Sequence, residues 1–438
     1  MTRLKQWLSV LLVTLGLATA WVVWRNQHDV SADPASHSAS KSERPAAEML
    51  ARGAYLARAG NCMACHTTRG GEPYAGGRGI STPFGTIYSS NLTPDADTGL
   101  GRWTAQDFWQ ALHHGQSQDG RWLYPAFPYT SYTGVTREDS DALFAHLRSL
   151  PAVKQTNKAH ELRWPYNTQA ALAVWRALYF SPGASVTHTD ASPEWNRGAY
   201  LVQTLGHCSA CHGSRNALGA VSAQAPNSAF GGGLMPDGRW YAPSLLDEVE
   251  ASVAAWPMQD IVSLLKTGVS PQASVSGPMA EVVQHSTQHL TEADLQAMAL
   301  YLKEIPVQNP GAPRSASGKS EGGVSVRVAE RVAERGAKLY EQHCAACHGK
   351  QGEGVAKAYP RLAGNRAVTL AEPTNLVQMV LFGGFAPATA GNPQPYGMPP
   401  YVLQLSNADV AAVLTHIRRS WGNQATPVTE LEVNQLRN

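Results

Sequence analysis

The chain has 438 residues, 43% of them apolar, which is length for about three domains and too apolar for a disordered protein. Only 16% are charged, below the usual ~25%, which points to surface covered by a membrane or another subunit. A net charge of +2 gives no concentrated basic face of the kind nucleic-acid binding needs.

In chain order, Arg3 and Lys5 precede an apolar run from Trp7 to Val23, which Arg25 closes. The run is near the lower limit for crossing a bilayer. Trp21 and Trp24 suit an interface. Residues 1–30 are therefore read as an uncleaved anchor with its N-terminus inside. The alternative is a signal peptide, for which Ala18-Thr19-Ala20 offers a cleavage site. Residues 31–47, rich in Ser, Ala, Asp and Pro, read as a tether.

Six cysteines follow in three pairs: Cys62 and Cys65, Cys208 and Cys211, Cys344 and Cys347. Each pair is spaced C-x-x-C and is followed at once by a histidine: His66, His212 and His348. This is the c-type haem attachment pattern three times over, with no cysteine left for disulfides, zinc or a nucleophile. Two thioethers must reach two vinyl groups on one porphyrin edge. Two intervening residues set that reach, and the next residue lies under the iron as the proximal imidazole. The expected cofactors are three covalently bound haems c, on the outer side of the cytoplasmic membrane.

The motifs sit in an internal repeat of about 140 residues. Arg52-Gly53-Ala54-Tyr55-Leu56, Arg197-Gly198-Ala199-Tyr200-Leu201 and Arg335-Gly336-Ala337-Lys338-Leu339 each run into a motif. Each unit also closes alike. Glu138–Ser149, Glu292–Glu304 and Asn407–Arg419 carry helical apolar spacing behind the start signals Thr136, Thr291 and Ser406. A first helix crossing a last helix beside a haem is the cytochrome c arrangement, and Gly53, Gly198 and Gly336 would permit close approach. The reading is an all-α chain of three tandem cytochrome c domains, 48–151, 191–306 and 326–425, behind the anchor. Residues 152–190 connect the first two and hold a helix-like run from Ala170 to Phe180. Residues 307–325 read as a flexible linker, Val326 to Glu334 as a charged helix start, and 426–438 as a C-terminal tail.

The chain resembles the triple-haem cytochrome c subunits of membrane-bound periplasmic alcohol, gluconate, fructose and sorbitol dehydrogenases. It is also similar to the cytochrome partner of molybdenum hydroxylases. Leu123-Tyr124-Pro125-Ala126-Phe127-Pro128-Tyr129, Gly277-Pro278-Met279-Ala280-Glu281-Val282-Val283, Tyr396-Gly397-Met398-Pro399-Pro400 and Ser420-Trp421-Gly422-Asn423 carry the likeness. It runs from about residue 48 to the C-terminus. It implies an electron-transfer subunit at the inner membrane, on the periplasmic side. Its partners would be a catalytic subunit with quinoprotein, flavin or molybdopterin chemistry, and ubiquinone or a cytochrome as acceptor. The chain has no G-x-G-x-x-G after a strand and no P-loop, so it is not expected to oxidise an organic substrate alone. The other readings are a multihaem peroxidase with an open first haem, and a free-standing donor to a terminal oxidase.

A thioether opposite the proximal histidine raises haem potential. Met279 follows a Gly-Pro turn and matches the family's ligand, with Met235 as its rival and Met298 read as core. Met398 lies between Gly397 and Pro399, while Met379 reads as core. Unit one is different: no methionine occurs from Thr67 to Pro193, and Phe127 stands where many relatives have one. His113 is the preferred sixth ligand there, with His114 next and His146 and His160 also available. Arg78, Arg102 and Arg121 read as solvated or propionate-binding. Trp103, Trp109 and Trp122 read as pocket walls. His285 and His289, four apart on a possible helix, read as a surface pair.

Overall fold

The computed structural model describes residues 2–31, 45–183, 187–221, 229–307 and 326–437. The expected tether, 31–47, and linker, 307–325, lie almost wholly outside the described residues. The chain divides into two compact units. One comprises Met1–Asp190 with Tyr200–Ala210 and Asn216–Ala223. The other comprises Ala191–Ala199, Cys211–Arg215 and Gln224–Asn438.

The first unit begins with α1 (Thr2–Ser31), longer than the apolar run that predicts it, and its stretch Arg3–Gln27 is long and apolar enough to cross a membrane. Next comes α2 (Ala46–Ala59), which crosses α3 (Arg137–Arg148). Thr136 caps α3 by accepting from the Asp139 amide at 3.2 Å. A methyl group on Gly53 would overlap the Ala142 carbonyl, so only glycine permits this crossing. Arg52 Nε donates to Asp139 Oδ1 at 2.6 Å, which ties the start of the repeat to its last helix. The connecting segment forms α4 (Gln169–Tyr179), capped by Thr168 and packed against the C-terminal end of α1.

The second unit repeats the crossing twice. α5 (Pro193–Tyr200) enters it as far as Ala199, and α6 (Met258–Thr267) and α7 (Gly277–His285) lead to α8 (Glu292–Glu304). Gly198 lies against the Ala297 carbonyl, and Arg197 Nη2 donates to Asp294 Oδ2 at 2.7 Å. Then α9 (Val326–His343), α10 (Thr374–Phe382) and α11 (Asn407–Arg419) follow. Gly336 lies against the Ala412 carbonyl, and Arg335 Nε donates to Asp409 Oδ1 at 2.8 Å. The core here joins Tyr340, Val377, Leu381, Val410 and Leu414. The expected tail folds onto it as α12 (Glu430–Arg437), which buries Val433. Fully buried Arg418 donates to the carbonyls of Val368, Leu370 and Thr426 and so straps that segment down.

The all-α expectation needs correction. β1 (Gly79–Thr82), β2 (Gly85–Tyr88) and β3 (Glu161–Leu162) form an antiparallel sheet with Ile80 opposite Ile87 and Gly85 opposite Leu162. Two-residue ladders join β4 (Gly233–Leu234) to β5 (Tyr241–Ala242) and β6 (Gly384–Phe385) to β7 (Gly397–Met398). Long loops must satisfy their backbone polar groups, and these short ladders do so where no helix is available.

Candidate haem attachment sites

Each C-x-x-C-H motif follows the first helix of its repeat. In the first two, the residue before the first cysteine is left-handed: Asn61 at φ 50° and His207 at φ 37°. This turns the chain sharply between helix and motif. The third motif follows α9 almost without a break. Burial pushes the Cys62 thiol up to about 12 and the Cys344 thiol up to about 11. Redox and zinc C-x-x-C pairs need thiolates.

The histidines share one arrangement. His66 Nδ1 lies 2.7 Å from the Ser90 carbonyl, His212 Nδ1 lies 2.7 Å from the Pro243 carbonyl, and His348 Nδ1 lies 2.9 Å from the Pro360 carbonyl. An Nδ1–H donated to a carbonyl fixes the tautomer and leaves Nε2 with its lone pair for a metal. Burial holds all three imidazoles below their ordinary range, so they are neutral, the form that ligates.

A glycine locks each histidine's backbone in place. The amides of Gly76, Gly232 and Gly354 donate to the backbone carbonyls of His66, His212 and His348. All three glycines have positive φ, and a methyl group on any of them would collide with backbone at Ser90, Ser244 or Tyr359–Arg361. The residues present thus fit a covalently held haem, with cysteine pairs on one edge and an oriented imidazole beside them.

The sixth-ligand candidates lie in different settings. Met279 sits in the first turn of α7, where Pro278 starts the helix and Gly277, at φ 54°, packs under the Trp240 ring. Met398 lies on β7, whose partner β6 also packs against α7, so the two methionines occupy adjoining elements. Met298 is buried in α8, as expected. Met379 lies in α10, its sulfur 3.6 Å from where a Gly384 Cβ would be.

In the first unit, His113 and His114 occupy a π-turn, Gln110–His114, and both are buried. Such turns recur at functional sites. The His113 ring stacks on Trp109 at 4.3 Å. The Tyr129–Tyr132 turn packs on the π-turn, and Phe127 leans on Tyr132 at 5.4 Å. The Tyr132 hydroxyl donates to the Gly60 carbonyl at 3.0 Å, two residues before Cys62. Sequence reasoning missed this tyrosine, and also His207, whose Nε2 lies 3.4 Å from the same carbonyl.

The remaining candidates have plainer places. Arg78 Nη1 donates to the Ala64 carbonyl at 2.7 Å and braces the first motif from outside. Arg102 and Arg121 pair with Asp97 and Asp119 at the surface. Trp122 lies under Arg176, 4.0 Å from the guanidinium carbon. His160 Nδ1 accepts from the Tyr88 amide, and the His146 ring faces Tyr74 edge-on. His285 ends α7 and His289 lies in a separate turn, so the two do not share a helix.

Residues 50–151 and 333–421 match the Cytochrome c family. The cytochrome c subunit of a quinone alcohol dehydrogenase from Gluconacetobacter polyoxogenes is 39% identical over 396 residues, covering 89% of this chain and 84% of that protein. The gluconate 2-dehydrogenase cytochrome c subunit of Pantoea cypripedii is 36% identical over 397 residues, 89% of either chain. A subunit of nicotinate dehydrogenase from Pseudomonas putida is 35% identical over 442 residues, 99% of this chain and 36% of that longer protein. With haem attachment motifs so arranged and likeness of this extent, the chain belongs to the family of cytochrome c subunits of alcohol- and gluconate-type dehydrogenase complexes.

Proposed function

We propose that the chain carries three haems c, on Cys62 and Cys65, Cys208 and Cys211, and Cys344 and Cys347. In this reading it relays electrons from a catalytic dehydrogenase subunit to ubiquinone or another respiratory acceptor. When bound, each haem supplies one-electron redox chemistry. The observation that carries the reading is the threefold recurrence of a proximal histidine held by a backbone carbonyl: Ser90, Pro243 and Pro360. Contacts inside each unit support a relay. Tyr132 and His207 meet at Gly60, between the first motif and the residue preceding Cys208. α7, which carries Met279, packs on β6, the partner strand of Met398.

His66, His212 and His348 would hold the three irons, together with His113, Met279 and Met398 respectively. The three haem domains are those of the sequence reading: 48–151, 191–306 and 326–425. The membrane anchor is α1, which places the haem domains on the periplasmic side. Oxidation of an organic substrate belongs to the partner subunit. Relatives named for a quinone alcohol dehydrogenase, gluconate dehydrogenase and nicotinate dehydrogenase support such a partner.

Two measurements test this. Iron per chain should be three, falling to two when Cys208 and Cys211 are both replaced by Ala; an unchanged count overturns the assignment. Purification from membranes should bring down a large subunit holding pyrroloquinoline quinone, flavin or molybdopterin. A chain that purifies alone with a high-spin haem and peroxide turnover would instead be a peroxidase. One that purifies alone with every haem low-spin and reduces a terminal oxidase would be a free-standing donor.

A further inference from the structure

We infer that the outer face of α4 lies in the headgroup layer of the membrane that α1 enters, so that the segment connecting the first two repeats is itself a lipid-binding surface. The inference rests on reading α1 as an anchor, and adds a second membrane contact to it.

Depth along α1 carries the argument. Trp7 to Val23 is an apolar, mostly exposed stretch about 26 Å long at 1.5 Å per residue, near the thickness of a hydrocarbon core. Trp21 and Trp24 then mark the interface, as aromatic residues do. α1 meets the rest of its unit just beyond this level. Asn26 Nδ2 donates to the Ala173 carbonyl at 3.0 Å, and Arg176 Nε donates to Asn26 Oδ1 at 3.1 Å. Arg25 Nη2 donates to Ser181 Oγ at 2.7 Å. Asn26 is three residues past Val23, about 4.5 Å of helix rise. α4 is therefore pinned at headgroup depth.

What α4 presents there is apolar. Val174 and Leu178, one helical turn apart, are 45% and 51% exposed. The one charged residue of α4, Arg176, is 1% exposed and stacked on Trp122 and Phe180. An uncharged outer face beside a span reads as an interfacial helix, whose apolar side enters the boundary between headgroups and acyl chains. Trp164, 80% exposed and just before α4, adds an aromatic of the type enriched at that boundary.

The test uses spin labels on the full-length, haem-loaded protein. All native cysteines are read as thioethers, so one introduced cysteine is labelled selectively. Val174→Cys and Leu178→Cys are compared with Leu12→Cys inside α1 and with Leu403→Cys, which is 96% exposed. The proteins are placed in vesicles of phosphatidylcholine and phosphatidylglycerol. Labels at 174 and 178 should give an oxygen-to-nickel-chelate collision ratio several-fold above that at 403 and below that at 12, as a position between water and the hydrocarbon core does. If 174 and 178 behave like 403 while 12 stays in lipid, α4 faces water: the inference fails and the anchor stands. If 174 and 178 are shielded from both reagents, a protein surface covers α4 and the inference also fails. If 12 reports water as well, the anchor reading and the inference fall together.

Discussion

Asp139 accepts a hydrogen bond from the Tyr200 hydroxyl at 2.7 Å. The same carboxylate takes Arg52 and is 1% exposed, so within the first unit it ties the crossing helices to Tyr200. Its counterparts Asp294 and Asp409 bind Arg197 and Arg335. Asp139→Asn leaves the Arg52 guanidinium without its counter-charge, and we expect a loss of about 3 kcal/mol. Arg335 is half exposed, so Arg335→Gln should cost below about 1 kcal/mol. Guanidinium unfolding of the two variants checks the ranking. Equal losses would mean that burial does not distinguish the pairs.

The glycines at the three crossings give a sharper result. Gly53→Ala drives a methyl group into the Ala142 carbonyl, and Gly198→Ala and Gly336→Ala do the same at Ala297 and Ala412. None of these neighbours is a flexible side chain that could turn aside. Each substitution should cost about 3 kcal/mol and lower haem retention in its own repeat. Gly16→Ala, where nothing lies within 4 Å, is the control and should be silent in both readouts.

Much of this was legible in the sequence because it rests on local rules. The capping residues Thr136, Thr291 and Ser406 each accept from an aspartate amide three residues on, and the helices expected at Glu292–Glu304 and Asn407–Arg419 have those bounds. The six cysteines and three histidines needed no structure at all. The carbonyl partners were out of reach. Ser90, Pro243 and Pro360 lie 24, 31 and 12 residues beyond their histidines, at separations set by loops without periodicity. Strands of two to four residues are too short to alternate visibly. Met279 was expected just past a turn and lies in a first helical turn, because proline at that position opens a helix. The tail helix α12 has few apolar residues, and the segment leading into it is held at Thr426 by a buried arginine, Arg418, that no pattern marks as core.

Acid should weaken the third crossing in a defined window. Burial alone would raise the Asp409 carboxyl. Hydrogen bonds from the Ser406 hydroxyl and amide, and from Arg335, outweigh burial and hold it below its ordinary 3.8. A carboxylate whose folded pKa lies below its unfolded value adds stability above the unfolded value. That stability is lost as pH falls through the folded one. The melting temperature of Asp409→Asn should therefore trail the parent by a constant amount from pH 7 to pH 5. The gap should begin to close near pH 3.8 and narrow below it. A gap that widens on acidification would reverse the sign.

The first haem should have the lowest potential of the three. No methionine lies between Thr67 and Pro193, whereas Met279 and Met398 are the proposed ligands at the other two sites. Imidazole stabilises ferric iron more than a thioether does, so a histidine ligand lowers the potential at similar burial. His113 is buried in the π-turn and held flat against Trp109, a setting that fixes its ring. Phe127 stands in the neighbouring turn against Tyr132, which reaches the backbone beside Cys62. A redox titration with low-temperature spectra should resolve three components. His113→Ala should turn the lowest one high-spin, while His114→Ala leaves its spin state unchanged. Phe127→Met should raise that component and leave the other two alone. If His113→Ala changes nothing and the three components titrate together, both the ligand and the ordering are wrong.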